Sequence, residues 1–461
     1  MTCGDEKGGV IMDHSNKHGQ TADFAKGSIA SVVIKNSIPA LIAMVMVMVY
    51  NLADTFFIGL THNDYQVSAV SYATPVFMLF MSLGTLFGVG GTSVISRALG
   101  SGNKELAKKV SSFCVWSCIS IGLLFMIILW AFLDRFVVML GAGEQTAGYT
   151  RAYLVIAIGC GVFSMLTNCF SNIIRTEGMA MKAMTGTLIG NLLNIILDPI
   201  FILGFKWGIT GAAAATVIGN VIAALYYFMY FFRGKSSLSI NIKDFSMKDG
   251  ICKDVVAIGL SASLANMLVS ISSMVVNGQL SGGANGELLV AGYGVTTKVS
   301  MIVTLIGIGI GSGVQPIIGF CFGAKKKERL LATVRFSAVF GLVFCLVISA
   351  VCYIFAGPIV KAFLTQTDAY EAGIRFTRIL LCTGWLIGAF AVFQNSLQAM
   401  GAAVPALLAS VFRQGVIFIP AVFIMKALFG TMGIIWAQPA ADVLSLVILF
   451  FMLERKIHTI S

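Results

Sequence analysis

GVGGTSVISRALGSGNKELAKKV, residues 88–110, returns in altered form 223 positions later as GSGVQPIIGFCFGAKKKERLLAT, residues 311–333. The shift lays Gly90 on Gly313, Gly100 on Gly323, Lys104 on Lys327 and Glu105 on Glu328. Farther along, the same shift pairs Asn172 with Asn395 and Gly178 with Gly401. Each copy is a glycine-spaced apolar run that ends in a basic loop and opens a new apolar run. A bilayer core needs about 20 apolar residues per helix. By that measure the chain offers twelve spans, over 33–60, 66–95, 111–139, 149–174, 181–204, 209–232, 254–280, 289–319, 334–362, 372–399, 403–428 and 431–453. Barrel strands are excluded, because they alternate with period two over about ten residues and these runs are continuous. Six spans per repeat is an even number, so both copies share one membrane orientation and are related by an axis along the membrane normal. Parallel repeats of this kind are an architecture of secondary transporters, with the substrate site between the halves.

Composition agrees with that reading. Of 461 residues, 57% are hydrophobic and 11% charged, and mean hydropathy is +0.91. Soluble domains carry about a quarter charged residues. The net charge of +11 lies in the connections between apolar runs, so it speaks of topology and not of nucleic acid. Ten cysteines occur singly, with no metal-ligand spacing, and read as small packing residues. His14, His18, His62 and His458 lie outside the apolar core, which excludes a histidine relay. No catalytic constellation or nucleotide-binding loop is present, so neither an enzyme nor direct ATP drive is expected, and no cofactor. The polar N-terminus, with Asp5, Glu6 and Asp13, is not a cleavable signal peptide.

Lysine and arginine set the orientation. Arg97, Lys104, Lys108, Lys109, Arg175, Lys182, Arg233, Lys243, Lys248, Lys325, Lys326, Lys327 and Arg329 fall on one side, against Arg135, Arg151, Lys206, Lys361 and Lys426 on the other. The positive-inside rule then puts both termini in the cytoplasm of a multi-pass protein of the inner or plasma membrane. The parts expected are a cytoplasmic tail (1–30), a first six-helix lobe (31–232), a cytoplasmic linker (233–253), a second lobe (254–455) and a short tail (456–461).

Ionisable groups inside a membrane are functional candidates by default. NLLNIILDPIFI, residues 191–202, sets Asn191, Asn194 and Asp198 at i, i+3 and i+7, on one helical face, with Pro199 predicting a kink or an opened carbonyl beside the carboxylate. In the first span Tyr50, Asn51 and Asp54 are close enough to share a face. Asp54 lies about 28 Å from Lys35 and Asp198 roughly 24 Å from Lys182 at the helical rise, so both carboxylates reach similar depth in the outer half. Thr216 lies about 15 Å below the outer surface and joins them. Oxygen ligation suits a hard cation such as sodium, and clustered carboxylates suit a proton. The repeat maps Asp54 onto Asn277 and Asp198 onto Ala421, so only the first half holds paired carboxylates. Tyr50, Asn51, Asn172, Asn277, Lys298 and Asn395 are candidates for lining the central cleft, with Lys298 equally able to snorkel. Arg413 and Asp442 reach similar depth on consecutive spans and are expected to pair.

These residues carry a resemblance to the multidrug and toxic compound extrusion (MATE) family, closer to its DinF/MepA-type branch than to its NorM-type branch. The carriers are YNLADTFFIG, SNIIRTEG, NLLNIILDP, GITGAAAAT, GVQPIIGFCFGAKK and the tandem repeat, together covering residues 30 to 455. The resemblance implies an all-α V-shaped fold of two six-helix lobes around a central cleft. It also implies export of organic, often cationic, amphipathic compounds driven by proton or sodium influx through a first-lobe site, here Asp54, Asn194, Asp198 and Thr216. It implies a lipid-embedded protein, expected to be monomeric. The NorM-type branch adds a carboxylate in the first span of the second lobe, and GLSASLANMLVSISSMVVNGQL has none. The proline usual near that span's start is also missing, with Ser261 in its vicinity. The alternative within the same superfamily is a lipid-linked saccharide flippase.

Overall fold

In a computed structural model the chain is described over residues 19–61, 63–140, 143–233, 236–248, 250–282, 286–364 and 367–459. His14, His18, His62, Lys235 and the first part of the 1–30 tail lie outside these. The fold is 88% helix, with no strand among the described residues. The first half holds α1 (Gly19–Lys26), α2 (Ile29–Gly59), α3 (Asp64–Gly100), α4 (Lys104–Ala131), α5 (Leu133–Met139), α6 (Glu144–Gly159), α7 (Gly161–Arg175), α8 (Ala180–Pro199) and α9 (Ile209–Phe232). The second holds α10 (Ile251–Ser281), α11 (Gly286–Gly323), α12 (Lys327–Ile354), α13 (Ala356–Lys361), α14 (Thr367–Leu381), α15 (Leu386–Ala399), α16 (Ala403–Val411) and α17 (Phe418–His458).

Among the described residues nine helices are long and apolar enough to cross a membrane, and two bent pairs are so when each is taken as one span. One of the nine, Ala403–His458, reverses at Gly430 (φ 64°), where Gly433 packs onto the Met425 carbonyl, and so supplies two spans. The total is the twelve read from the sequence. The bent pairs refine two of those spans: α6 and α7 meet at 48° around Cys160, and α14 and α15 meet at 50° across 382–385. The two breaks are repeat equivalents, since Cys160 maps onto Thr383. Glycines flank both, and they are where neighbours press in: a methyl on Gly161 would strike the Phe80 ring, and one on Gly384 would strike Ser349 Oγ. At Pro199, α8 does not break. It widens into a π-helical turn over Ile200–Gly204, a common way to absorb a missing amide donor.

The lobes touch at the end that carries the basic loops. There Gly100 lies on the Phe320 carbonyl and, reciprocally, Gly323 lies on the Arg97 carbonyl; Gly90 meets the Val255 carbonyl and Gly313 meets Ser37. Lipid offers no hydrophobic drive between helices, so the close backbone approach that only glycine permits supplies the attraction. Ser93 Oγ donates to the Gln398 carbonyl (2.5 Å), Ser263 Oγ to the Ser82 carbonyl (2.6 Å), and Arg97 reaches Asp254 (3.7 Å). Each lobe's core also takes in the opening turns of the other's first helix: Ile251, Val255 and Ile258 pack in the first lobe, Val32, Val33 and Leu41 in the second. Toward the opposite end the helices part. Beyond Ala43, α2 buries only Ile58, and α10 buries nothing between Ser263 and Ser272. The result is a V whose closed apex is the basic end.

The segments leading into the lobes follow the same crossed pattern. Helix α1 docks under the second lobe, where Arg329 donates to the carbonyls of Phe24 (2.6 Å) and Gly27 (2.5 Å), and Phe24 meets Phe320 edge-on. The linker is fastened to the first lobe. Glu177, buried at the end of α7, accepts from Ser237 N (2.6 Å), Ser237 Oγ (2.7 Å), Ser236 Oγ (2.8 Å) and Tyr230 OH (2.9 Å). Ser111, Ser112 and Trp116 bind the linker carbonyls of Ser239, Asn241 and Ile240.

Candidate functional site

The buried face of α8 reads Ala183, Gly186, Gly190, Asn194, Asp198, a stripe at helical spacing whose small residues give way to an amide and a carboxylate. The small residues explain why something polar fits behind them. Gly190 and Gly219 contact each other's carbonyls, which brings α8 and α9 together without side chains between. One turn beyond that crossing, Asn194 Nδ2 lies 3.1 Å from Thr216 Oγ1 and 3.4 Å from Asp198 Oδ1. Asp198 is 0% exposed and Asn194 3%. Helix α2 packs along α8 and brings Tyr50 and Asp54 into electrostatic range of Asp198.

Three oxygens and an amide nitrogen at this place are buried with no hydrogen-bond partner among the described residues: Asp54 Oδ1, Asn194 Oδ1, Asp198 Oδ2 and Asn191 Nδ2. Buried polar groups without partners are rare and costly. Here they concentrate on two carboxylates and an amide whose hydroxyl neighbour, Thr216, completes an all-oxygen set. Such a set suits a hard monovalent cation or a proton. Among the described residues no group of three or more His, Cys, Asp and Glu forms, so a transition-metal or zinc centre does not fit.

Sequence reasoning did not single out Tyr153. It comes from α6, 3% exposed, and shares the electrostatic neighbourhood of Asp54, Tyr50 and Asp198. Its periodic tyrosine partner, Tyr149 at i−4, is no ionisable carboxylate, so the spacing alone does not mark the pair as part of an ion site.

The cleft candidates scatter. Asn51 and Asn277 are exposed, and Asn51 donates to the Val47 carbonyl (2.7 Å). Asn172 and Asn395 instead pack within their own lobes, each donating one turn back, to the carbonyls of Asn168 (2.9 Å) and Ala391 (2.8 Å). Their amides lie against the repeat-equivalent glycines Gly88 and Gly311. Lys298 is exposed, with its ammonium 5.7 Å from the Phe363 ring of its own lobe. Arg413 and Asp442 form the expected pair, Nε to Oδ1 at 2.8 Å, with side chains 15% and 6% exposed.

A tandem six-span repeat closed at one end, with a buried carboxylate cluster confined to one lobe, defines a multi-pass membrane transporter. The family follows from comparison with known proteins. The chain belongs to the MatE family, whose model matches residues 39–200 and again 262–424, two matches that begin 223 residues apart like the repeat itself. It is 32% identical over 422 residues to the multidrug export protein MepA of Staphylococcus aureus, covering 91% of this chain and 92% of that one. The Staphylococcus haemolyticus MepA is 31% identical over 419 residues, with the same coverage. A MATE crystal structure in the bent conformation superposes with a TM-score of 0.87 at 25% identity, over 95% of this chain and 97% of that one. An outward-facing MATE transporter of the MOP superfamily superposes at 0.90 and 24%, over 95% and 98%. The protein is therefore a transporter of the plasma membrane and not an enzyme, it needs no cofactor, and the MepA-like resemblance stands. The flippase alternative is not favoured.

Proposed function

We propose that this protein, similar to a relative named for multidrug export, exports organic compounds, often cationic and amphipathic, and that cation influx through Asp54, Asn194, Asp198 and Thr216 drives the export. The observation that carries the reading is the set of unpartnered buried carboxylate and amide oxygens of Asp54, Asn194 and Asp198, whose carboxylates have no counterpart at the equivalent positions Asn277 and Ala421 of the second lobe. Two neighbouring buried carboxylates repel when both are charged, and a bound proton or sodium ion relieves that repulsion. The carboxylates lie on α2 and on α8 beside its π-helical turn, the two elements best placed to change shape when the ion binds. Only a difference in ion affinity between the two states can move the alternating-access equilibrium. The lobes are closed at the end with most lysines and arginines, which supports a cytoplasmic apex and an outward-facing state, with both termini inside. Residues 31–232 and 254–455 act as the moving lobes and 233–253 as their connection.

The test uses proteoliposomes with proton and sodium gradients imposed separately, which identifies the ion. Under the effective gradient, Asp54→Asn and Asp198→Asn lose export yet remain folded by size-exclusion chromatography, while Asn277→Ala in the second lobe has a much milder effect. Wild-type export by both aspartate variants refutes the assignment.

A further inference from the structure

At the end of the first lobe away from the basic loops lies a cavity of about 400 Å³, lined by Gln66, Gln145, Tyr149, Ala152, Trp207 and Thr210 among others. It lies within the lobe, between the opening turns of α3, α6 and α9, and not in the cleft between lobes. Its walls are neutral amides, hydroxyls and aromatic faces, and its volume holds several waters. Gln66 Oε1 accepts from Ile209 N (2.9 Å), tying α3 to the first turn of α9 at the cavity wall.

Both long walls lead to the carboxylate site. On α6, Gln145, Tyr149 and Ala152 follow one another at i, i+4 and i+7, and Tyr153 comes next on that face. On α9, Ile209 lines the cavity and Thr216, two turns deeper on the same face, is about 10 Å farther in. Ile209, which lines the cavity, is 2% exposed, and Tyr153, next to the lining residue Ala152 and in electrostatic range of Asp54 and Asp198, is 3% exposed and packs on Phe77 with ring centroids 5.8 Å apart. Asp198 and Asn194 belong to the buried face of α8, turned toward α9 and the lobe interior.

We propose that this cavity is the access route of the coupling ion: a hydrated monovalent cation or hydronium enters the first lobe here, and Tyr153 with Ile209 forms the barrier it passes to reach Asp54 and Asp198. Ion and substrate then use separate doors, the ion through the lobe and the substrate through the cleft. A neutral lining fits this role, since a route must admit the ion without trapping it. The proposal rests on the carboxylate site assigned above.

Gly148 lines the cavity, and an added Cβ there meets no atom within 4 Å, so Gly148→Phe places a ring in the cavity without a clash at its base. Gly143, at the start of α6, is equally open but does not line the cavity, and Gly143→Phe is the control. In proteoliposomes driven by sodium or by protons, whichever drives the wild type, G148F should slow export on the order of ten-fold, with equilibrium binding of that ion in detergent unchanged within about two-fold, because a plugged route slows arrival without altering the site. G143F should match the wild type. Should G148F fold poorly, Gly148→Cys in a background lacking native cysteines gives the same answer: export is normal until a bulky membrane-impermeant thiol reagent is added from the external face, then falls. Wild-type export by G148F, or by labelled G148C, while D54N remains inactive, overturns the route and leaves the site standing. A parallel loss of ion affinity in G148F also overturns it. Normal export by D54N and D198N refutes the site itself.

Discussion

Removing Arg413 should strand Asp442 inside the second lobe, and the cost can be worked from the contacts it leaves. Asp442 accepts from Arg413 Nε (2.8 Å), Gln438 Nε2 (2.9 Å) and Thr383 Oγ1 (3.4 Å), and its side chain is 6% exposed. In Arg413→Ala the carboxylate keeps two neutral donors and no counter-charge, and breaking a buried pair on one side costs about 3–5 kcal/mol. In Asp442→Ala the guanidinium keeps the Phe390 face, 4.7 Å from its Cζ, which offsets part of that cost. For a folding unit of about 200 residues each kcal/mol moves the midpoint by roughly 2–4 °C, so R413A should lose on the order of 10 °C and D442A somewhat less. Thermal unfolding in detergent is commonly irreversible, so midpoints are compared at one scan rate, by loss of monodisperse protein on size-exclusion chromatography. The doubly swapped variant, Arg413→Asp with Asp442→Arg, should recover part of the loss, because Gln438 and Thr383 can still serve one member. If both single variants melt within about 2 °C of the wild type, the pair contributes nothing and the reasoning from burial is wrong.

Two further outcomes test the fold. Gly323→Ala sets a methyl 2.1 Å from the Arg97 carbonyl and so penalises the closed apex; overpacking of this kind costs about 1–3 kcal/mol and should shift spin-label distances across the basic end toward separation, whereas Gly278→Ala, with nothing within 4 Å, should not. Lys325 holds φ 55° where the first repeat has Gly102 at φ 80°, so Lys325→Gly relieves a left-handed strain of about 1–2 kcal/mol, less the chain entropy glycine adds, and should leave the melting midpoint unchanged or raised; a fall of several degrees would contradict it.

The sequence by itself determined what lipid and helical periodicity impose locally. Long apolar runs have to be helices, because backbone groups in a bilayer must be satisfied within the segment, and that gave twelve spans and their tandem order. The i, i+3, i+7 spacing put Asn191, Asn194 and Asp198 on one side of a helix, and rise per residue set Asp54 and Asp198 at similar depth in the outer half. Arg413 and Asp442 were legible for the same reason, since depth on two consecutive spans is a local quantity. Tertiary structure decided which faces meet. Only the Gly190–Gly219 crossing brings Asn194 to Thr216, and only the packing of α6 delivers Tyr153 beside the carboxylates. Asn172 and Asn395 looked like cleft residues in the repeat, yet they turned into their own lobes, where Gly88 and Gly311 leave room for an amide. The breaks at Cys160 and across 382–385, the docking of α1 under the second lobe, and the closure at the basic end depend on contacts between residues far apart in the chain. Hydropathy is blind to such contacts because every face of a membrane helix is apolar, and the choice among faces is made by shape, by where a missing Cβ lets backbones touch.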